Sequence, residues 1–121
     1  MNLMNRALLV GRFPLIPPDL EVECGDGWFD ILRELFDKLS ALDVAGLRIL
    51  QIKQKFGYLV VYVEHSVNDK REESDHLFTM ACAQSFETCE LCGAPGIIRF
   101  DGGVKVRCLQ CQIKSSEVDN K

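Results

Sequence analysis

Long hydrophobic runs are missing from these 121 residues. The densest apolar stretch, residues 59–63, falls far short of the roughly 20 residues a bilayer requires, which excludes a membrane-spanning helix. The first ten residues carry one basic side chain and only a short apolar patch at 7–10, so the core of a secretory signal is lacking as well. Charge of either sign is not in large excess: 14 Lys and Arg stand against 18 Asp and Glu. With 47% apolar residues and a net charge of only −4, intrinsic disorder over most of the chain is excluded. Internal repeats and low-complexity segments are lacking too. Histidine is nearly absent, with His65 and His76 the two copies, so a nucleophilic cysteine would have few bases to serve it. The length fits one domain, or one small domain with an attached module. A cytoplasmic, reducing location is the expectation that follows, and there paired cysteines serve as metal ligands more readily than as disulfides.

What is present begins with an N-terminal stretch broken by Pro14, Pro17 and Pro18, which restrict the residues before them to extended conformations. Residues 1–27 therefore read as an irregular arm. Gly25-Asp26-Gly27 then punctuates a helix start, with Asp26 as the expected N-cap. Trp28, Leu32, Leu35, Leu39 and Leu42 recur at steps of 4, 3, 4 and 3, while Arg33, Glu34, Asp37 and Lys38 fall on the other face. Gly46 is the expected stop. Leu50, Ile52 and Phe56 alternate with Gln51, Lys53 and Lys55, and a β-branched and aromatic run follows Gly57, so a tight hairpin is predicted there. The first helix is expected to lay Trp28, Leu32, Leu35 and Leu39 on Leu50 and Ile52. A second helix, capped by Asn68 or Asp69, carries apolar and small residues nearly all round from Leu77 to Phe86 and is expected to be mostly buried.

The six cysteines hold the most specific signal. Cys89-Glu90-Leu91-Cys92 and Cys108-Leu109-Gln110-Cys111 form two C-x₂-C pairs with fifteen residues between them. Each pair can wrap one edge of a tetrahedron within a single turn, where backbone N–H groups offset thiolate charge, and four sulfurs suit Zn²⁺. Gly93, directly after the first pair, gives such a turn the freedom it needs. Strand-like runs at 97–100 and 104–107 flank Asp101-Gly102-Gly103, a hairpin signal that brings the pairs together. This is the layout of a zinc ribbon. Four thiolates also suit an iron–sulfur centre, but the strand–turn–strand spacer favours zinc. With Cys89, Cys92, Cys108 and Cys111 all engaged, no open position remains and the metal is structural. Cys82 reads as a small core hydrophobe. Cys24, at a helix start where the dipole could lower a thiol pKa, has no nucleophile motif around it.

The elements together read as α+β: two helices packed on a β-hairpin, followed by a C-terminal zinc ribbon. The expected segments are an N-terminal irregular arm (1–27), an α+β body (28–88), the ribbon (89–114) and a flexible tail (115–121).

Three segments occur together and in order: Cys24-Gly25-Asp26-Gly27-Trp28, Gln51-Ile52-Lys53-Gln54-Lys55-Phe56-Gly57, and Thr88-Cys89-Glu90-Leu91-Cys92-Gly93-Ala94-Pro95-Gly96. The set resembles a group of short, mostly uncharacterised proteins of phages, prophages and bacteria with GDGW, QxKxKFG and CExCGxPG motifs, over residues ~12 to 111. That group often closes its second half with Cys-x₂-His, where this chain has Cys108 and Cys111. The resemblance implies a mobile-element origin. Small phage proteins of this sort often bind and block host machinery, such as a defence nuclease, in the manner of an anti-CRISPR.

Two functional classes follow. Residues 1–88 carry 9 basic against 14 acidic side chains, a balance of −5, and an acidic surface can compete with nucleic acid for a basic protein groove. The first expectation is thus a non-enzymatic accessory protein that binds a host protein or complex. The alternative is nucleic-acid binding or transcription modulation through the ribbon. Arg99, Lys105 and Arg107 share one parity and are expected to line one face, although four thiolates on Zn²⁺ would offset them. Catalysis is the weakest reading: Gly25-Asp26-Gly27 could hold an anion at a helix start, but Asp26 and Asp30 read as solvated acids.

Overall fold

The helical periodicity from Trp28 onward becomes α2, Phe29–Leu42, in the computed structural model, which describes residues 1–44, 46–65, 70–100 and 102–119. A single 3-10 turn, Asp26–Trp28, leads into it. Ile31, Leu32, Leu35, Phe36 and Leu39 are buried, while Lys38 and Glu34 pair at 3.0 Å on the wet side. The helix ends before Gly46. Asp43 turns left-handed (φ 55°), its N–H returns to the Leu39 carbonyl, and Lys70 Nζ donates to the Leu42 carbonyl at 2.8 Å. A cation at that end suits the negative pole of the helix dipole.

The hairpin is β2, Arg48–Lys55, against β3, Tyr58–Glu64. Phe56 (φ 50°) and Gly57 (φ 89°) form its two-residue turn, both left-handed as a type I′ turn requires. One detail differs from simple alternation. The register shifts between Ile49 and Gln51, so Leu50 is the extra residue of a bulge. Ile49 and Ile52 consequently face the core together, whereas Leu50 is 46% exposed and does not receive the helix. Phe56, in the turn, is exposed as well. A short strand β1, Val22–Glu23, pairs parallel to β2 and completes a three-stranded sheet in the order β1-β2-β3.

The N-terminal segment is not an irregular arm. Asn2 caps a helix α1, Leu3–Arg12, by accepting from the Asn5 N–H. The prolines follow this helix instead of interrupting it, and Phe13, ahead of Pro14, takes the extended conformation that a following proline imposes. Leu9, Phe13 and Ile16 are buried, with the Phe13 and Phe36 rings 5.8 Å apart. Asp26 does not cap α2. Its carboxylate accepts from the Asn2 N–H at 2.8 Å and from Asn5 Nδ2 at 3.1 Å, tying the start of α1 to the Gly-Asp-Gly segment. The Asn2 hydrogen bond holds its carboxyl below the usual aspartate range.

Helix α3, Arg71–Ser85, is less buried than its composition implies: Ser74, Ala81 and Ser85 are covered, while Met80 and nearby Phe86 are exposed. Beyond it, β3 is the last strand of the sheet, so α3 packs on α2 and on an edge strand with no further strand to cover it. An apolar groove of about 490 Å³ runs between them, lined by Tyr58, Val60, Phe78, Cys82 and Phe86 among others. The cap expected at Asn68 or Asp69 lies outside the described residues. The C-terminal part consists of β4, Ile97–Arg99, antiparallel to β5, Lys105–Arg107, and then α4, Leu109–Asp119. Helix α4 therefore runs through most of the segment expected as a tail, and Asp101 of the expected turn lies outside the described residues. The chain is thus a mixed α+β fold with its cysteine pairs gathered at the C-terminal hairpin. Among the described residues, no helix is long and apolar enough to cross a membrane.

Candidate metal centre

The first cysteine pair sits in a turn directly after α3. The Cys89 N–H donates to the Ala94 carbonyl at 2.8 Å and the Gly93 N–H returns to the Cys89 carbonyl at 2.9 Å, which curls the loop so that both thiols approach the second pair. The second pair straddles the junction between β5 and α4. There the Cys111 N–H points at Cys108 Sγ, 3.4 Å away. A backbone bond from the Glu90 N–H to the Val106 carbonyl, 3.0 Å, joins the two halves.

The four sulfurs of Cys89, Cys92, Cys108 and Cys111 lie within 4.8 Å of one another, and Cys92 Sγ is 3.6 Å from Cys108 Sγ. Ligands about 2.3 Å from a tetrahedral centre stand roughly 3.8 Å apart, so the spacing suits one ion held by four thiolates. The acid–base chemistry agrees. Burial pushes the Cys89 thiol up, but hydrogen bonds from the Cys108, Cys92 and Leu91 amides more than reverse this and hold it at about 7. The Cys111 amide likewise lowers Cys108. Cys111 is pushed up to about 12 by burial and by the neighbouring thiols, and Cys92 is also raised, the lowering by the Ala94 amide being outweighed by the Cys108 hydrogen bond, burial and Cys89 together. Four sulfurs this close cannot all ionise without a cation among them. Metal uptake must therefore displace protons, and apparent affinity is expected to rise from about pH 6 to about pH 8. A metal titration followed by proton release checks this; affinity independent of pH would contradict a thiolate site.

The centre is built into the body, not tethered to it. Glu90, between the first two cysteines, accepts from the Gly25 N–H through its carboxylate at 2.9 Å and from the Gly27 N–H through its carbonyl at 2.7 Å. Gly27 lies so close that a Cβ there would stand 2.0 Å from the Cys89 carbonyl oxygen and 2.6 Å from the Gly93 nitrogen. Trp28 is fully buried, and its indole N–H donates to the Thr88 carbonyl at 2.9 Å. From the other side, Gln54 Nε2 donates to the Val104 carbonyl at 3.2 Å, and a Cβ on Gly57 would stand 3.0 Å from the Val104 side chain. The first and third sequence motifs thus meet directly, and the second meets the C-terminal hairpin at Val104. Trp28→Phe is expected to keep the ring buried but orphan the Thr88 carbonyl, at a cost of about 1–3 kcal/mol by thermal denaturation. A melting temperature equal to the parent's would show that bond to be idle.

No family model, curated protein or solved structure matches this chain.

The remaining candidates fall as follows. Arg99 pairs with Lys105, and Ile97 with Arg107, so the three basic residues do share one face of the hairpin. Arg99 Nε donates to the Arg107 carbonyl at 3.1 Å. Cys24 is buried, and desolvation, followed by the nearby Glu90, pushes its thiol up to about 12, so burial prevails over any helix dipole. Burial also raises Cys82, which lines the α3–β3 groove and is not a core residue. His65 pairs with Asp75 at 3.8 Å, and the four gathered ligand atoms include no histidine. Asp30 meets Arg33 at 3.7 Å on the exposed side of α2, apart from Asp26 and its asparagines. Glu90 is the site residue that sequence reasoning missed. Its position inside C-E-L-C was visible, but the amide its carboxylate serves lies 65 residues away.

Proposed function

We propose that the protein is a non-enzymatic binding module, held in shape by one structural Zn²⁺ on Cys89, Cys92, Cys108 and Cys111, that works by engaging another protein. Zinc is the metal that four thiolates around a short antiparallel hairpin suit best, and the donor set leaves no position for water or substrate. One observation carries the binding role. Among the described residues, six of the fourteen exposed large hydrophobics fall between residues 91 and 113: Leu91, Ile97, Ile98, Phe100, Leu109 and Ile113. Apolar side chains concentrated on so short a metal-bearing segment mark a contact surface. The resemblance to phage and prophage proteins makes a host protein complex, a defence nuclease for example, the partner to seek, in the cytoplasm of the host.

The experiment is capture of host-lysate proteins on the full chain, with and without nuclease, beside the double variant I97K/F100S. Both positions are exposed, so the variant should keep its metal and melting temperature while losing the partner. Capture that disappears with nuclease would refute a protein target. The shared face of Arg99, Lys105 and Arg107 favours a second reading, phosphate contact by the ribbon. That reading predicts affinity falling steeply with salt, whereas an apolar contact does not.

A further inference from the structure

Helix α1 carries an apolar face that nothing among the described residues covers. At 100° per residue, Leu3, Met4, Ala7, Leu8 and Gly11 fall within one arc of about 140°, while Leu9 and Phe13 point the other way into the core. All five are exposed, and Leu3, Met4 and Leu8 reach 84%, 74% and 55%. No charged side chain lies inside that arc. An apolar stripe of this width normally faces protein.

We infer that this face is a homodimer interface, in which α1 of one copy packs antiparallel on α1 of a second copy about a two-fold axis at Ala7. The pattern is self-complementary about that residue. Position 3 lies opposite position 11, so the Leu3 side chain of one copy enters the space over Gly11 of the other, where a Cβ would meet nothing within 4 Å. Position 12 lies opposite position 2, which brings Arg12 over the other copy's helix start. That end is net acidic: Asp26 sits on Asn2, and Asp19, Glu21 and Glu23 outnumber Arg6 in the crevice beside Leu3. Arg12 already touches Asp37 at 3.3 Å but is 58% exposed, so it can serve both. Antiparallel helices also set opposite dipole ends together. Burying these residues on two copies removes on the order of 1,000 Å², the lower bound for a specific interface. The dimer should therefore be real but readily dissociated.

The test is sedimentation equilibrium of the full, zinc-loaded chain over a range of concentrations. The parent is expected to pass from 13.7 kDa to twice that mass. Gly11→Leu fills the space that Leu3 needs and should weaken dimerisation by about tenfold or more. Its melting temperature as a monomer should hold or rise, because leucine forms helix better than glycine. Leu3→Glu should weaken it similarly, while Phe100→Ser on the ribbon should change nothing. A parent that stays monomeric at all concentrations overturns the inference, even if α1 then captures a different protein. So does a dimer indifferent to both α1 substitutions.

Discussion

Replacing Cys108 with serine, or withdrawing the metal with a chelator, is expected to unfold more than the C-terminal hairpin. Structural zinc supplies on the order of 10 kcal/mol, comparable to the whole net stability of a domain this size. The loss should also reach the body, because Gly25, Gly27 and Trp28 lean on the loop that carries Cys89 and Cys92. Calorimetry should show the melting temperature falling by at least about 15 °C. Trp28, the only tryptophan, should report the same event as a red-shifted emission, since it is buried against that loop. Elemental analysis should find one zinc per chain in the parent. Unchanged melting and emission in Cys108→Ser would refute both the metal assignment and the coupling. A lost hairpin with an intact tryptophan signal would refute the coupling alone.

The second large effect is expected from one methyl group. In Gly27→Ala the added Cβ meets backbone on both sides of the Cys89 turn, at 2.0 Å and 2.6 Å, and backbone cannot swing aside as a side chain can. The body and the metal loop must separate, costing about 3 kcal/mol or more and roughly 10 °C of melting temperature. Gly11→Ala, melted at a concentration where the chain is monomeric, is the control. Nothing stands within 4 Å of its Cβ, and relief of the glycine penalty in a helix should give about 0.5–1 kcal/mol of stabilisation. Equal melting temperatures for the two variants would show that the close approach at Gly27 does not constrain the fold.

How much was legible follows from the range of the forces involved. Helix α2 and the turn at Phe56 and Gly57 depend on neighbours a few residues apart, and their pattern shows in the sequence. The cysteine cluster was legible because metal geometry fixes ligand spacing within each turn. The bulge at Leu50 was not: a single inserted residue exchanges Leu50 for Ile49, and either alternation fits the composition. Helix α1 was obscured by prolines that end it without breaking it. The exposure of α3 is set by the edge position of β3, which is a property of the sheet and not of the helix. Glu90 illustrates the general case, since its carboxylate is spent on an amide 65 residues earlier.

The contact between Gly27 and the Cys89 loop has a consequence for synthesis. A ribosome releases residue 27 long before residue 111, so the emerging body meets a missing wall where the loop belongs. Its largest core side chain, Trp28, stays without its indole partner until Thr88 has cleared the exit tunnel. Products that terminate early should therefore be cleared by proteases instead of accumulating as a stable fragment.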